Sequence, residues 1–95
     1  MIFGTLAGSG GGETPFVIGT YTGISTPLAP MIQTIPLGFT PSAVLATGSN
    51  NTDMILKGVE QSTYGMSIVE GGFQVGTNNS ILNQAGLAYS YIAFK

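Results

Sequence analysis

Residues 87–95 read LAYSYIAFK and predict a long β-strand. Side chains alternate between the two faces of a strand, so the odd-numbered residues of this stretch share one face and the even-numbered residues share the other. Both sets are largely apolar, with Tyr89 and Tyr91 in one and Ile92 and Phe94 in the other. We therefore expect this strand either to lie in the centre of a sheet or to have one face covered by a subunit contact.

The rest of the chain repeats this pattern in shorter segments. Alternating, β-branched or aromatic stretches predict further strands at residues 16–21, 31–35, 42–47, 54–59, 66–70 and 73–75. Gly71 and Gly72 predict a tight hairpin, because paired glycines supply the positive φ that two-residue turns need. Pro27 and Pro30 exclude a central strand between the first two segments. Six or seven short strands with closely spaced turns predict an all-β fold, a compact antiparallel β-sandwich.

Charged residues make up only 6% of the 95 residues, against about 25% in typical soluble domains. Uncharged polar side chains must therefore cover the surface, and such a surface gives weak protection against association. A single domain of this length buries only about 60–65% of the surface that its unfolded chain exposes, which leaves little margin of stability. We expect a protein that completes its folded state by oligomerisation.

The composition excludes most catalytic chemistry. The chain has no His and no Cys, the residues that acid–base and nucleophilic catalysis recruit most often. Nothing in the spacing of Asp53, Glu60 and Glu70 places two carboxylates about 5–9 Å apart across a cleft, as glycoside hydrolysis requires. We therefore expect no enzymatic activity.

Several kinds of ligand are excluded in the same way. Zinc lacks His or Cys ligands, and calcium would rest on Asp53 with two asparagines, so no metal and no cofactor are predicted. Two lysines cannot support nucleic-acid binding. Gly, Pro, Asn and Ser interrupt every apolar stretch before about 18 residues, so no membrane span is predicted.

Two regions are distinguished along the chain: an apolar leader with a glycine-rich linker at residues 1–12, and the β-sandwich domain at residues 13–95. The leader contributes the candidate anchor residues Ile2, Phe3 and Leu6, which would dock on another protein while the linker at residues 8–12 acts as a tether. A free terminus and the remnant of an engineered linker are the alternative interpretations.

Loops rich in amides and hydroxyls form the candidate binding sites. Uncharged donors and acceptors beside an aromatic ring match the polar and apolar faces of a carbohydrate. The candidate ligand-binding residues are Asn50, Asn51, Tyr64, Asn78, Asn79 and Asn83. The alternative is that these side chains only hydrate a charge-poor surface.

Four segments carry a resemblance to known proteins. They are FVIGTYTG at 16–23, IPLGFTPSAVL at 35–45, SIVEGGFQV at 67–75 and GLAYSYIAFK at 86–95. With a Gly-Phe-x-Pro corner, a Gly-Phe hairpin and a terminal Tyr-x-Ala-Phe strand, residues 16–95 resemble small bacteriophage virion modules of the tail-fibre, receptor-binding or decoration type. The resemblance implies a non-enzymatic capsid decoration protein or tail-fibre tip, made in the host cytoplasm and located in the virion with other capsid or tail proteins as partners.

The order of the predicted elements is also similar to that of H-type lectin domains, antiparallel sandwiches that assemble as trimers. This similarity implies an H-type lectin-like fold and a homotrimer, with a carbohydrate-binding host-attachment module as the alternative function. Sugar-binding residues are not carried over, because the terminal strand lacks the Trp typical of those lectins. The aromatic residues expected in the core or at an interface are Phe39, Phe73, Tyr89, Tyr91 and Phe94.

Overall fold

Seven strands form two antiparallel sheets in the computed structural model, which describes residues 15–48, 50–77 and 79–95. They are β1 (Phe16–Thr22), β2 (Gln33–Pro36), β3 (Ala43–Gly48), β4 (Asn51–Leu56), β5 (Met66–Val69), β6 (Gly72–Val75) and β7 (Ala88–Phe94). The described ranges contain no helix, so the all-β prediction is confirmed. The expectations for the leader residues Ile2, Phe3 and Leu6, for the linker and for Asn78 lie outside the described residues.

The larger sheet has the strand order β1-β7-β3-β4, and the smaller sheet has the order β2-β6-β5. Strand β7 lies between β1 and β3, which confirms the central position expected from its two apolar faces. The predicted hairpin is also present, because β5 and β6 pair directly and Gly71 has a φ of 82°. Its neighbour Gly72 belongs to β6 rather than to the turn.

The hydrophobic core lies between the two sheets. Its buried members are Tyr21, Ile35, Val44, Ala46, Ile55, Met66, Phe73, Val75, Leu82, Tyr89 and Ala93. The rings of Tyr21 and Tyr89 stack with centroids 5.1 Å apart. Their hydroxyls donate to the carbonyls of Leu82 and Ile81, at 2.8 Å and 3.0 Å. Burial, with a smaller contribution from Tyr89, raises the pKa of the Tyr21 hydroxyl far above its ordinary value.

Two predicted strands are displaced in the structure. The strand expected at residues 31–35 begins only at Gln33, because the backbone of Met31 is bonded to side chains: its N–H donates to Ser25 Oγ and its carbonyl accepts from Asn83 Nδ2. The strand expected at 54–59 spans residues 51–56 instead, because β4 pairs with β3 from Asn51 onward.

The five aromatic residues expected in the core or at an interface divide between these places. Phe73 and Tyr89 are fully buried, and Phe39 and Tyr91 pack against the core with partial exposure. Phe94 points away from the core and is half-buried, with its ring 6.3 Å from that of Phe16. Its direction, away from the core, therefore distinguishes Phe94 from the other four.

Candidate functional site

The outward surface of the four-stranded sheet is the most unusual surface of the described chain. Strand register places Ile18, Ile92, Leu45 and Met54 side by side in one row across all four strands. The next row comprises Phe16, Phe94, Ala43 and Leu56. We call these eight side chains the apolar face.

Part of the apolar face is strongly exposed. Ile18 is 68% exposed, and Met54 and Leu56 are each 52% exposed. Between the edge strands lies a shallow depression of about 200 Å³, whose floor includes Leu45 and Ile92. Single exposed apolar residues are normal, whereas a contiguous apolar patch marks an interaction surface. The apolar face is therefore the first candidate functional surface.

The outer surface of the smaller sheet has the opposite character. Thr34, Gln74 and Ser67 lie side by side there by strand register. Gln74 Nε2 donates to Thr34 Oγ1 at 3.0 Å. This row of the smaller sheet is therefore polar, as expected for contact with water, whereas two rows of the larger sheet's outer surface are apolar.

The two ends of the sandwich also differ in charge. One end, which we call the lysine end, carries Lys57 and Lys95 beside Ser42 and Pro15: the Lys57 N–H donates to the Ser42 carbonyl, and the Lys95 N–H donates to the Pro15 carbonyl. Lys95 Nζ also lies 5.4 Å from the centre of the Phe39 ring. Pro15, where the undescribed residues 1–14 join the sandwich, thus lies at the lysine end.

The opposite end, which we call the loop end, consists of residues 23–32, 50–51, 76–77 and 79–87, none of which is charged. Leu28 is 99% exposed there. It occupies a turn closed by two backbone hydrogen bonds of 3.2 Å between Thr26 and Ala29. The Ala29 N–H also contacts Thr26 Oγ1 at 2.9 Å. The loop end therefore presents an apolar side chain on a hydrogen-bonded turn.

Asn83 holds the base of this loop. Its side chain is fully buried; Oδ1 accepts from the Ile24 N–H at 3.2 Å, and Nδ2 donates to the Met31 carbonyl at 2.9 Å. Sequence reasoning placed Asn83 among the ligand-binding candidates, but the structure places it in the interior, with its donor and acceptor groups used within the chain. It acts as a positioning residue for the loop.

A second depression, of about 360 Å³, lies beside the Leu28 turn. It is lined by Ser25, Thr26, Pro27, Ser80, Gln84 and Ala85. Ser25, Thr26 and Ser80 contribute hydroxyls, Gln84 contributes a carboxamide, and Pro27 and Ala85 contribute apolar surface. This combination suits an uncharged polar ligand. The sequence did not predict this group of residues, because residues 25–27 and 80–85 are distant in the chain.

The other predicted ligand residues are dispersed over several turns. Asn50 lies in the β3–β4 turn with a φ of 70°, and Asn51 pairs with Gly48 in the same hairpin. Asn79 Nδ2 donates to the Thr63 carbonyl at 3.0 Å, which brings Asn79 next to the loop of Tyr64. Tyr64 is partly buried against the core. The structure thus brings Asn79 next to the loop that contains Tyr64. The Asn79 amide is hydrogen-bonded within the chain, to the Thr63 carbonyl and to the Ile81 N–H.

The Asp53 carboxylate is hydrogen-bonded within the chain. Asp53 accepts from the backbone N–H groups of Met54 and Tyr64 at 2.9 Å and 2.8 Å, which gives its carboxylate a structural use. Among residues 15–48, 50–77 and 79–95, no group of three or more His, Cys, Asp or Glu side chains is placed to hold a metal ion. In the same ranges, no helix is long and apolar enough to cross a membrane.

The apolar face was missed because its signal is spread over four strands. In β3 the outward residues Ala43 and Leu45 alternate with the buried Val44 and Ala46, so both faces are apolar. Sequence reasoning drew that conclusion only for β7. Applying the same test to β3 would have found the second strand of the face.

Comparisons of the chain with protein-family models, with curated proteins and with solved structures found no match.

Proposed function

We propose that this chain is a non-enzymatic bacteriophage virion structural protein, a capsid decoration protein or a tail-fibre tip, that assembles as a homotrimer and displays its surface loops. The assignment to a virion rests on the resemblance of the four segments within residues 16–95. The observation that carries the display function is the difference between the two ends of the sandwich: the chain from residues 1–14 joins at Pro15 at the lysine end, and the uncharged loops lie at the other end.

In this arrangement the leader attaches the protein and the loop end faces outward. Ile2, Phe3 and Leu6 dock on a capsid or tail protein, and the five-residue linker at 8–12 gives a reach of about 12 Å. The sandwich then stands with Pro15 towards the particle and Leu28 away from it. No catalytic group takes part, so the protein acts through its contacts alone.

Insertion of short epitope tags into intact particles tests this orientation. One tag is placed in the Leu28 turn and a second in the β5–β6 turn at Gly71. Gly71 lies at the lysine end because its N–H donates to Thr40 Oγ1 at 3.0 Å, and Thr40 follows Phe39, whose ring Lys95 contacts. We expect antibody to label the Leu28 tag on intact particles and the Gly71 tag only after disruption. Purified particles that lack the chain, or labelling of the Gly71 tag alone, would contradict the proposal.

A carbohydrate-binding host-attachment module is the second candidate function, and the depression at the loop end favours it. Thr26 and Ser80 provide hydroxyls, Gln84 provides an exposed amide, and Pro27 offers an apolar surface for a sugar ring. The segments that line the depression, residues 23–32 and 79–87, contain no charged residue.

A glycan array followed by NMR titration with the sugars that bind tests this candidate. Binding that is lost in Gln84→Ala and retained in Gln74→Ala would support it, because Gln74 lies on the outer surface of the smaller sheet. The absence of binding at millimolar sugar, or equal binding by both variants, would exclude the depression as a sugar site.

A further inference from the structure

The apolar face has the character of a buried surface, and nothing in the described part of the chain covers it. Ile18, Met54 and Leu56 are each more than half exposed. Full burial of such a side chain is favourable relative to leaving it in water. Eight adjacent apolar side chains therefore provide a strong driving force for covering this face.

The shape of the face suits contact with a copy of itself. A depression of about 200 Å³ lies at one margin of the face, where the row of Ile18, Ile92 and Leu45 meets the next row of Ser90 and Thr47. On the two edge strands the face carries the exposed side chains of Ile18 on β1 and Met54 on β4. Projecting side chains and an apolar hollow thus occur on one surface, so the side chains of one copy can enter the hollow of another.

The absence of charge on the outward side of the four strands also favours a second copy of the chain as the partner. The outward residues of the four strands include no charged side chain: beyond the apolar face they are Thr20, Thr22, Thr47, Thr52, Ala88 and Ser90. Two identical charged surfaces would repel each other, whereas two identical neutral surfaces meet without that cost. A surface adapted to a charged partner would carry the opposite charge, and this one carries none.

We propose that the apolar face packs against the same face of other copies of this chain. In a pair the two four-stranded sheets stack directly; in a trimer the three faces meet around the threefold axis. In either case the smaller sheet, with its polar outer row of Thr34, Gln74 and Ser67, remains in water. This inference deepens the assembly part of the proposed function and rests on it.

The size of the face sets the expected strength of association. Four strands about 4.8 Å apart, with six or seven residues rising about 3.3 Å each, give the whole outward surface of the sheet a footprint of about 400 Å², of which the two rows of the apolar face occupy about half. A standard stable interface buries about 800 Å² on each partner. We therefore expect association in the micromolar range, with the mass of the purified protein dependent on concentration.

Size-exclusion chromatography with light scattering of the full chain tests the inference. The test variant is Ile18→Thr with Met54→Thr, which places threonine beside the existing outward Thr20 and Thr52 and keeps a strand-compatible side chain. The control variant is Leu28→Thr, which removes an even more exposed apolar side chain away from the face. We expect wild type and control to associate alike, and the test variant to associate at least tenfold more weakly, at unchanged circular dichroism.

Wild type that stays at 9.7 kDa, or a folded test variant that associates as well as wild type, would overturn the proposal. If the test variant does not fold, Leu45→Lys provides a second test, because it places like charges opposite each other in the contact.

The leader of the same chain is the competing occupant of the face. A monomeric wild type that begins to associate when Phe3 and Leu6 are changed to Ser would identify the leader as the cover and overturn the inference. A protein that is found on particles by the tag experiment but is monomeric through an uncovered face would overturn this inference and the homotrimer. It would leave the attachment to the virion and the display of the loop end standing.

Discussion

The Tyr91 ring on β7 covers Gly19, its directly paired residue on β1. The two residues are opposite each other in the register, and a Cβ atom at residue 19 would overlap the Tyr91 ring. The glycine therefore leaves the space in which the tyrosine lies flat against the sheet, where its ring also meets Phe73 edge-on at 5.1 Å. This pair fixes the position of the inward aromatic cluster.

Gly19→Ala should destabilise the protein. Adding a methyl group to a packed site typically costs about 1–3 kcal/mol, because neighbours must move. Chemical denaturation measures the change, with Thr20→Ala, an exposed neighbour on the same strand, as the control. In the Tyr91→Leu background, where the ring is absent, Gly19→Ala should lower the free energy of unfolding by less than it does in the wild type. A Gly19→Ala variant as stable as wild type would show that the contact is not tight.

The buried hydroxyl of Tyr21 should make stability fall at high pH. Burial raises its pKa in the folded state, so the unfolded chain loses this proton first. The stabilising contribution is complete below the unfolded pKa of 10.0, and it is lost as the pH rises above that value. Denaturation midpoints measured from pH 8 upward should therefore decline above pH 10.

Tyr21→Phe provides the control for this pH dependence. It keeps the ring that stacks on Tyr89 and removes the ionisable group, at the loss of the hydrogen bond to the Leu82 carbonyl. Its stability should be lower at neutral pH and should decline less steeply above pH 10. Equal slopes in the two proteins would assign the alkaline loss to other tyrosines.

Asn83→Leu should loosen the Leu28 loop. The change removes the acceptor of the Ile24 N–H and the donor to the Met31 carbonyl, and each unsatisfied group costs about 1–3 kcal/mol where it stays buried. Amide hydrogen exchange should become faster at Ile24, whereas Gln84→Ala, an exposed neighbour, should leave it unchanged. Unchanged exchange at Ile24 in Asn83→Leu would show that the loop is held by other contacts.

The sequence predicted the fold class because its signals are local. The alternation of residues 87–95 identified the central strand, and the glycines at 71 and 72 identified the β5–β6 hairpin. The strand at 31–35 was predicted too early in the chain, because side chains distant in sequence, those of Ser25 and Asn83, bind the backbone of Met31. Such contacts have no signature in a local window.

The candidate site was harder to predict for the same reason. The row of Ile18, Ile92, Leu45 and Met54 exists only after strand register brings four strands together. The asparagines were ambiguous in a different way. An asparagine that binds a ligand and an asparagine that closes a loop are the same residue type, so the sequence does not tell them apart. Asn83 illustrates the second case, since its buried amide is hydrogen-bonded to two backbone groups of one loop, the Ile24 N–H and the Met31 carbonyl.

Sedimentation equilibrium of the purified full chain over a range from micromolar to hundreds of micromolar tests the central claim most directly. The claim is that the apolar face of β1, β7, β3 and β4 is covered by other copies of the chain. We predict an apparent mass that rises with concentration towards a whole-number multiple of 9.7 kDa. A mass that stays at 9.7 kDa over the whole range would contradict the account.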